Sequence, residues 1–397
     1  MEKVVHFGPG NIGRGFFGQL YYESKLETVY VGVTKEKIQL LNKYRQYPLV
    51  VMDADHVKEA KEMIIKNVRA INISDLQKVE EEISNAYLIS TSVGAKNLIH
   101  IVKPIVKGLK RRWENKEYSK INILLGENMV DTDIYFKELL VKELQDDHLI
   151  NMLNEYVGIV DTSVERLVPN MTKEMKQGNP LKIYAGSSYD FPVNKYAFKG
   201  EIPRIKNMIL LDSFQYYKTR KIFVYNSLHA VVAYLGFVKG YQHISEAIND
   251  HHIRYIVYCS ALESGKALAK EFNVSFTETL DKINSMIERL RDPDLDDTII
   301  RVGRDPLRKL SDNDRIIGGA KLALKHRILP LNLCLAAAAA LHFRVPTDNL
   351  SNVMQDMIDI GGPEEVLEKI CKLQSDSILW GLILGYYEII SKGYKIF

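Results

Sequence analysis

A short apolar run, Val4-Val5-His6-Phe7, leads directly into Gly8-Pro9-Gly10-Asn11-Ile12-Gly13. That G-x-G-x-x-G spacing confines the start of the chain to a strand, a tight turn and a helix, because each glycine relieves a different crowding. Gly8 allows the turn off the strand, Gly10 allows backbone to approach a pyrophosphate, and Gly13 allows helix and strand to pack closely. The helix beginning near Asn11 offers unpaired N–H groups and a positive dipole end to an anion. An amphipathic helix bearing Ile12, Phe16, Phe17 and Leu20 follows, then a β-rich run, Thr28-Val29-Tyr30-Val31-Gly32-Val33. In that context the loop reads as a dinucleotide site, with Phe7, Gly8, Pro9, Gly10, Asn11, Ile12 and Gly13 as cofactor-binding candidates. An ordinary strand-to-helix turn is the alternative. A nucleoside-triphosphate P-loop is excluded, since no Lys-Ser or Lys-Thr pair closes the loop.

The second strand lacks the Asp or Glu that normally hydrogen-bonds the adenosine ribose 2′-OH. It ends Val31-Gly32-Val33-Thr34-Lys35, and no acid occurs before Glu36. The choice between NAD and NADP is therefore open, because Thr34 and Lys35 tolerate or attract a 2′-phosphate. A solvated Lys35 that contacts nothing is the alternative.

At 397 residues the chain is too long for one small core and implies two domains. Helical patterning over 35–44 and strand-like runs over 48–52 and 68–73 are followed by short apolar runs at Tyr87-Leu88-Ile89-Ser90-Thr91 and Ile121-Asn122-Ile123-Leu124-Leu125. With helical spacing at 97–112 and 132–144, this predicts an α/β domain with a Rossmann-type, doubly wound, mainly parallel sheet. The strand-like Leu181-Lys182-Ile183-Tyr184-Ala185 is expected to extend that sheet. From about Asp212 onward apolar residues recur at three and four, as in Leu228-Val231-Val232-Leu235, and five consecutive alanines lie within 332–343. A mainly α-helical C-terminal domain is expected, with the boundary near 195–203, giving a dinucleotide-binding domain at 1–198 and a substrate and catalytic domain at 199–397. Ligands of such sheets bind beyond the C-terminal strand ends, which singles out Ser92, Val93 and Gly94 after one strand and Glu127 and Asn128 after another.

The net charge of +3 gives no reason to invoke nucleic acid or a membrane. Cys259, Cys334 and Cys371 are too far apart for a C-x-x-C site and odd in number, so no disulfide framework is indicated. No secretory signal is expected, and no apolar stretch is expected to be long enough to span a bilayer, so the cytoplasm is the expected location.

The most specific polar constellation is Lys221-Ile222-Phe223-Val224-Tyr225-Asn226-Ser227-Leu228-His229. In one unbroken α-helix Asn226 would lie about 140° and His229 about 80° around the axis from Lys221, on one broad face. Each residue has a plainer alternative: Asn226 as an N-cap, Lys221 as part of a solvated basic group with Lys218 and Arg220, His229 as a structural histidine. The run Arg301-Val302-Gly303-Arg304-Asp305-Pro306-Leu307-Arg308-Lys309 gathers guanidinium and ammonium donors and is the best candidate for choosing a substrate. A charged loop pairing with Asp292, Asp294, Asp296 and Asp297 is the alternative. No metal is expected, for there is no H-E-x-x-H and the adjacent His251 and His252 point to different sides of a helix.

The order of G-x-G-x-x-G, Glu127-Asn128-Met129, Lys221-x4-Asn226-x2-His229 and Arg301-Val302-Gly303-Arg304 resembles the polyol-specific long-chain dehydrogenase/reductase, or mannitol dehydrogenase, family from Val4 to about Phe343, with the tail beyond Arg344 matching weakly. The resemblance implies an NAD-dependent, metal-independent hydride transfer in which Lys221 is the general base. It further implies that Asn128 and Asn226 donate to the developing oxyanion, His229 orients substrate, and Arg304, Arg308, Lys309 and Glu165 contact it. Interconversion of D-mannitol 1-phosphate and D-fructose 6-phosphate is the implied reaction. Reduction of a hexuronate such as tagaturonate or fructuronate is the alternative within the family, and a non-catalytic dinucleotide sensor the alternative outside it. The expected partner is a small sugar phosphate or polyol phosphate, with the chain a monomer or weak oligomer. Gly32 stands where the family carries an Asp, so NADP is not excluded.

Overall fold

The structure is a computed structural model that describes residues 1–52, 61–169, 171–292 and 297–393. The chain divides into two compact units, Met1–Phe214 and Gln215–Phe397.

In the first unit, strands β1 (Lys3–Phe7), β2 (Glu27–Gly32), β3 (Gln46–Met52), β4 (Lys61–Lys66), β5 (Val68–Asn72), β6 (Leu88–Thr91), β7 (Ile121–Leu125) and β8 (Val157–Asp161) are followed by β9 (Ile183–Gly186), β10 (Phe191–Asn194) and β11 (Met208–Leu211). Six of them form one sheet in the order β5-β2-β1-β6-β7-β8, every pair parallel. This is the doubly wound order, and its switch point lies between β1 and β6.

Parallel strands joined by helices are covered on both faces, so they read as continuous apolar runs rather than as alternation. Val5, Phe7, Val29, Ile89 and Ile123 face one buried layer with Ile101, Ile105 and Leu109 of helix Leu98–Glu114. Their neighbours Val4, Leu88, Leu124 and Val160 face a second layer with Phe16, Phe17 and Leu20. The Leu181–Ala185 run does not extend this sheet. Its strand, β9, pairs in parallel with β3, which pairs antiparallel with β4. A separate apolar cluster of Tyr47, Leu49, Ile65, Leu181, Ile183 and Ala185 drives that small sheet. The unit also runs past the 195–203 segment expected as the boundary, because β11 pairs in parallel with β10.

The second unit is helical. Residues 214–239 form one helix in three parts: α-helix Phe214–Arg220, a π-helical turn Lys221–Asn226, and α-helix Ser227–Lys239, which Gly240 ends in the left-handed conformation at φ 81°. This helix is long and apolar enough to cross a membrane by length and composition, which corrects the expectation that no stretch would be. Two-thirds of its most apolar window is buried within the protein (67%), as in a core helix. Opposite it, Leu331–Leu341 carries the alanine run, and Ala336 to Ala340 are all buried. That helix has no side-chain cap of its own after Pro330. Instead the buried Glu263 carboxylate accepts from the backbone N–H groups of Asn332 and Leu333, each at 3.0 Å. This satisfies donors that burial would otherwise leave unpaired.

Candidate active site

The glycine loop opens into a 650 Å³ cavity of the first unit, within the range of about 300–1,000 Å³ typical of small-ligand sites. Gly8 has φ +104°, its N–H donates to Val31 O at 2.9 Å, and the loop is thereby tied to the end of β2. A Cβ on Gly10 would meet nothing within 4 Å, so its backbone is open to approach. A Cβ on Gly13 would lie 2.0 Å from Gly8 O, so the close helix–loop packing excludes any side chain. The helix begins at Asn11, as expected, and passes through a π-helical turn at Gly13–Phe17. The Tyr30 and Tyr47 hydroxyls donate to the carbonyls of Gly13 and Arg14 in that turn.

Two polar groups brace the loop from behind. His6, fully buried at the end of β1, has Nδ1 2.7 Å from Ser90 Oγ and Nε2 2.8 Å from Ser92 Oγ, while Ser92 Oγ donates to Gly8 O at 3.2 Å. Because the Ser92 proton goes to Gly8, the ring proton belongs on Nε2 and Nδ1 accepts from Ser90. Burial pushes the His6 pKa down to about 3, so the bridge is neutral. Arg14 Nε donates to Pro9 O at 3.2 Å, and its Nη1 to Leu181 O at 2.5 Å. Farther along the sheet, Glu127 Oε2 accepts from Thr91 Oγ1 at 2.6 Å and Oε1 from Val93 N at 2.9 Å, which fixes the Ser92–Gly94 turn.

Of the predicted cofactor residues, Phe7, Gly8, Pro9, Gly10, Thr34, Ser92 and Val93 line the cavity. Asn11, Ile12, Gly13, Lys35 and Gly94 do not. Asn11 donates to Pro169 O at 3.2 Å, and Ile12 packs against the apolar core. Lys37 takes the place expected of Lys35, and Asn97, His100, Ile101 and Pro104 form a wall with helical spacing that sequence reasoning missed. Positive φ at Gly8, open backbone at Gly10 and a wall of Ile73, Leu76 and Ile101 suit a dinucleotide with its pyrophosphate at the loop and its adenine on the apolar side.

The second unit holds a 260 Å³ pocket lined by Asn226, His229 and Ala230 from the long helix, and by Arg301, Arg304, Asp305, Arg308, Lys309 and Arg315. The turn that leads into Asn226 is π-helical, and its first residue, Lys221, does not line the pocket. The i→i+5 bonding widens the turn, so each residue advances by less than the 100° of an α-helix, and the 140° offset expected between Lys221 and Asn226 shrinks. Tyr234, two turns farther on, donates its hydroxyl to Gly303 O at 3.0 Å and anchors the basic segment to the helix.

Carboxylates set the arginines. Asp305, left-handed at φ 60°, caps the short helix Pro306–Lys309 and accepts from Arg308 Nε at 3.0 Å. The buried Asp314 accepts from Arg315 Nε at 2.7 Å through one oxygen and from Arg308 Nη1 at 3.3 Å through the other. Arg301 pairs with Asp297, while Arg304 pairs with no carboxylate among the described residues. Asp294 and Asp296, expected as alternative partners, lie outside the described residues. Lys309 is buried and donates to the carbonyls of Val302 and Arg304. Burial, reinforced by the Arg315 and Arg308 charges, pushes its ammonium down to about 6. His229 Nε2 lies 3.3 Å from Asp297 Oδ2, within ion-pair distance but without hydrogen-bond geometry. Burial works to raise the Asp297 carboxyl, yet the His229 ring and Arg301 outweigh it and hold it below the usual range.

Lys221 is half-buried at the start of the π-helical turn, and Asn128 is exposed just after β7 in the first unit. Glu165 is also in the first unit, accepts from Ser163 Oγ at 2.6 Å and lines neither pocket. Arg315 and its partner Asp314 were missed, although a second Arg-Asp cluster soon after Lys309 is the one signal that pointed to them.

A Rossmann domain joined to a helical domain with a Lys-Asn-His helix and a basic pocket defines an oxidoreductase of the two-domain dehydrogenase class. Residues 2–207 match the mannitol dehydrogenase Rossmann domain and residues 213–374 the mannitol dehydrogenase C-terminal domain, and the chain belongs to the mannitol dehydrogenase family. It is 36% identical over 396 residues to a mannitol-1-phosphate 5-dehydrogenase of Thermoanaerobacter pseudethanolicus, covering 100% of both chains. It is 33% identical to the enzyme of that name from Bacillus subtilis over 382 residues, 96% of this chain and 98% of the relative. Its fold is similar to that of Pseudomonas fluorescens mannitol 2-dehydrogenase, solved as a ternary complex with NAD and D-mannitol, at TM-score 0.79 and 13% identity over 99% of this chain and 92% of the other.

Proposed function

We propose that this chain interconverts D-mannitol 1-phosphate and D-fructose 6-phosphate by metal-independent hydride transfer. One observation carries the reading: Asn226 and His229, which suit hydroxyl groups, open into the same 260 Å³ pocket as Arg304, Arg308 and Arg315, which suit a phosphate. The name shared by relatives of full length supports the same substrate pair.

A nicotinamide dinucleotide, held by the Gly8–Gly10 loop and the Thr34 and Ser92–Val93 segments, supplies the hydride acceptor when bound. Lys221 takes the hydroxyl proton during oxidation and returns it during reduction. Asn226 donates to the oxygen on which charge develops, and the family resemblance gives Asn128 the same role. His229, held near Asp297, orients a substrate hydroxyl. Arg304, Arg308 and Arg315 grip the phosphate.

The test compares cofactor oxidation with fructose 6-phosphate, with fructose and with tagaturonate and fructuronate. Turnover is expected with the phosphate ester, and fructose should need a much higher concentration. Turnover of a hexuronate but not of fructose 6-phosphate would overturn the proposal.

A further inference from the structure

The end of β2 carries the information that separates the two nicotinamide dinucleotides. In doubly wound sheets an acid here hydrogen-bonds the ribose 2′-OH and repels a 2′-phosphate. Gly32, the last residue of β2, has no space for one: a Cβ would lie 2.6 Å from Pro9 Cγ and 2.8 Å from Pro9 Cδ. The absence of the acid is thus built into the glycine loop, because the Pro9 ring fills the volume the acid's side chain would take.

The next residues complete the contrast. Thr34 sits at the N-cap of helix Lys35–Tyr44, yet its hydroxyl makes no capping bond. Lys37, half-buried one turn on, lines the cavity beside Gly32 and Thr34 and pairs with no carboxylate among the described residues. Glu36 does not line it, and neither does any other Asp or Glu among the described residues. An unpaired ammonium in a cavity without acids attracts a phosphate dianion and gains nothing from a 2′-hydroxyl.

We propose that the Pro9–Gly32 contact and Lys37 make this pocket accept the 2′-phosphate of NADP(H), so that NADPH binds at least as tightly as NADH. The inference rests on the dinucleotide reading of the pocket and adds its selectivity. Burial and the Arg14 and Lys176 charges hold the Lys37 ammonium below its usual range, as expected of a cation among cations that a bound phosphate would relieve.

The test is direct titration of the full chain with NADPH and NADH, followed by cofactor fluorescence and without turnover. Lys37→Ala should weaken NADPH by about tenfold more than NADH, the size of one charge-assisted phosphate contact. Gly32→Asp alone should weaken both dinucleotides through its clash with Pro9, whereas Pro9→Ala with Gly32→Asp should restore NADH binding and reject NADPH. NADH binding at least about tenfold tighter than NADPH in the unmodified chain, or equal losses in Lys37→Ala, would overturn the inference. Binding of neither dinucleotide would instead sink the dinucleotide reading itself.

Discussion

Replacing Asp314 by Asn keeps the shape of the side chain and removes its charge. One oxygen accepts from both Arg315 Nε, at 2.7 Å, and Arg315 N, at 2.6 Å, so the amide oxygen takes that place. The amide nitrogen must then face Arg308 Nη1, whose present distance to the other oxygen is 3.3 Å, and donor meets donor. A hydrogen bond to a charged group contributes about 1.5–3 kcal/mol net, and the long Arg308 contact belongs at the lower end. Adding a roughly halved Arg315 bond gives about 2–3 kcal/mol of lost positioning. Some of this appears as lower thermal stability, because both groups are buried. The rest appears in substrate binding: two arginines that grip phosphate equally in ground and transition states raise KM and leave kcat nearly alone when they wander. We expect the KM for fructose 6-phosphate to rise by about 10–50-fold with kcat within about threefold. Steady-state kinetics with fructose as the control measures this, since fructose lacks the phosphate and should show little change. A KM for the phosphate ester unchanged within about twofold, or an equal change for fructose, would refute the positioning role.

Gly13→Ala should weaken dinucleotide binding at least about tenfold, because its methyl would meet Gly8 O at 2.0 Å and must displace the loop; cofactor titration checks it. The Lys309 ammonium titrates near 6 in the folded chain and near 10.5 when unfolded, so between those values the unfolded state binds more protons and stability rises with pH. Thermal midpoints of the unmodified chain relative to Lys309→Met should therefore climb across that window, and a flat difference would contradict the burial argument. His6 stays neutral down to about pH 3 when folded but takes a proton near 6.5 when unfolded, so stability is lost as pH falls below about 6.5. NADH affinity should remain flat across neutral pH, and a His6-dependent titration near neutrality would count against the neutral bridge.

The parts of this fold legible in the sequence are those whose causes are local. The glycine loop announces strand, turn and helix, and apolar runs such as Ile121–Leu125 announce buried parallel strands. The pairing of β9 with β3 was hidden, because residues 183–186 and 49–52 meet through a shared apolar cluster that no periodicity encodes. The π-helical turn at Lys221–Asn226 was hidden as well, since a 100° step assumes the bonding pattern that the turn breaks. Lys35 and Lys37 differ by two helical steps, about 200°, so one faces solvent and the other the cavity; which is which depends on where the helix starts. Asp314 and Arg315 reach the basic pocket only through the folding of the segment after Lys309.

In the proposed function Lys221 handles the proton during hydride transfer to a phosphorylated ketose. Lys221→Ala, assayed with saturating fructose 6-phosphate and cofactor alongside direct dinucleotide titration, probes that role. The expected result is a fall in kcat of about 10²–10⁴-fold with dinucleotide affinity retained. Turnover at the unmodified rate, with the cofactor bound as before, would rule out Lys221 as the general base.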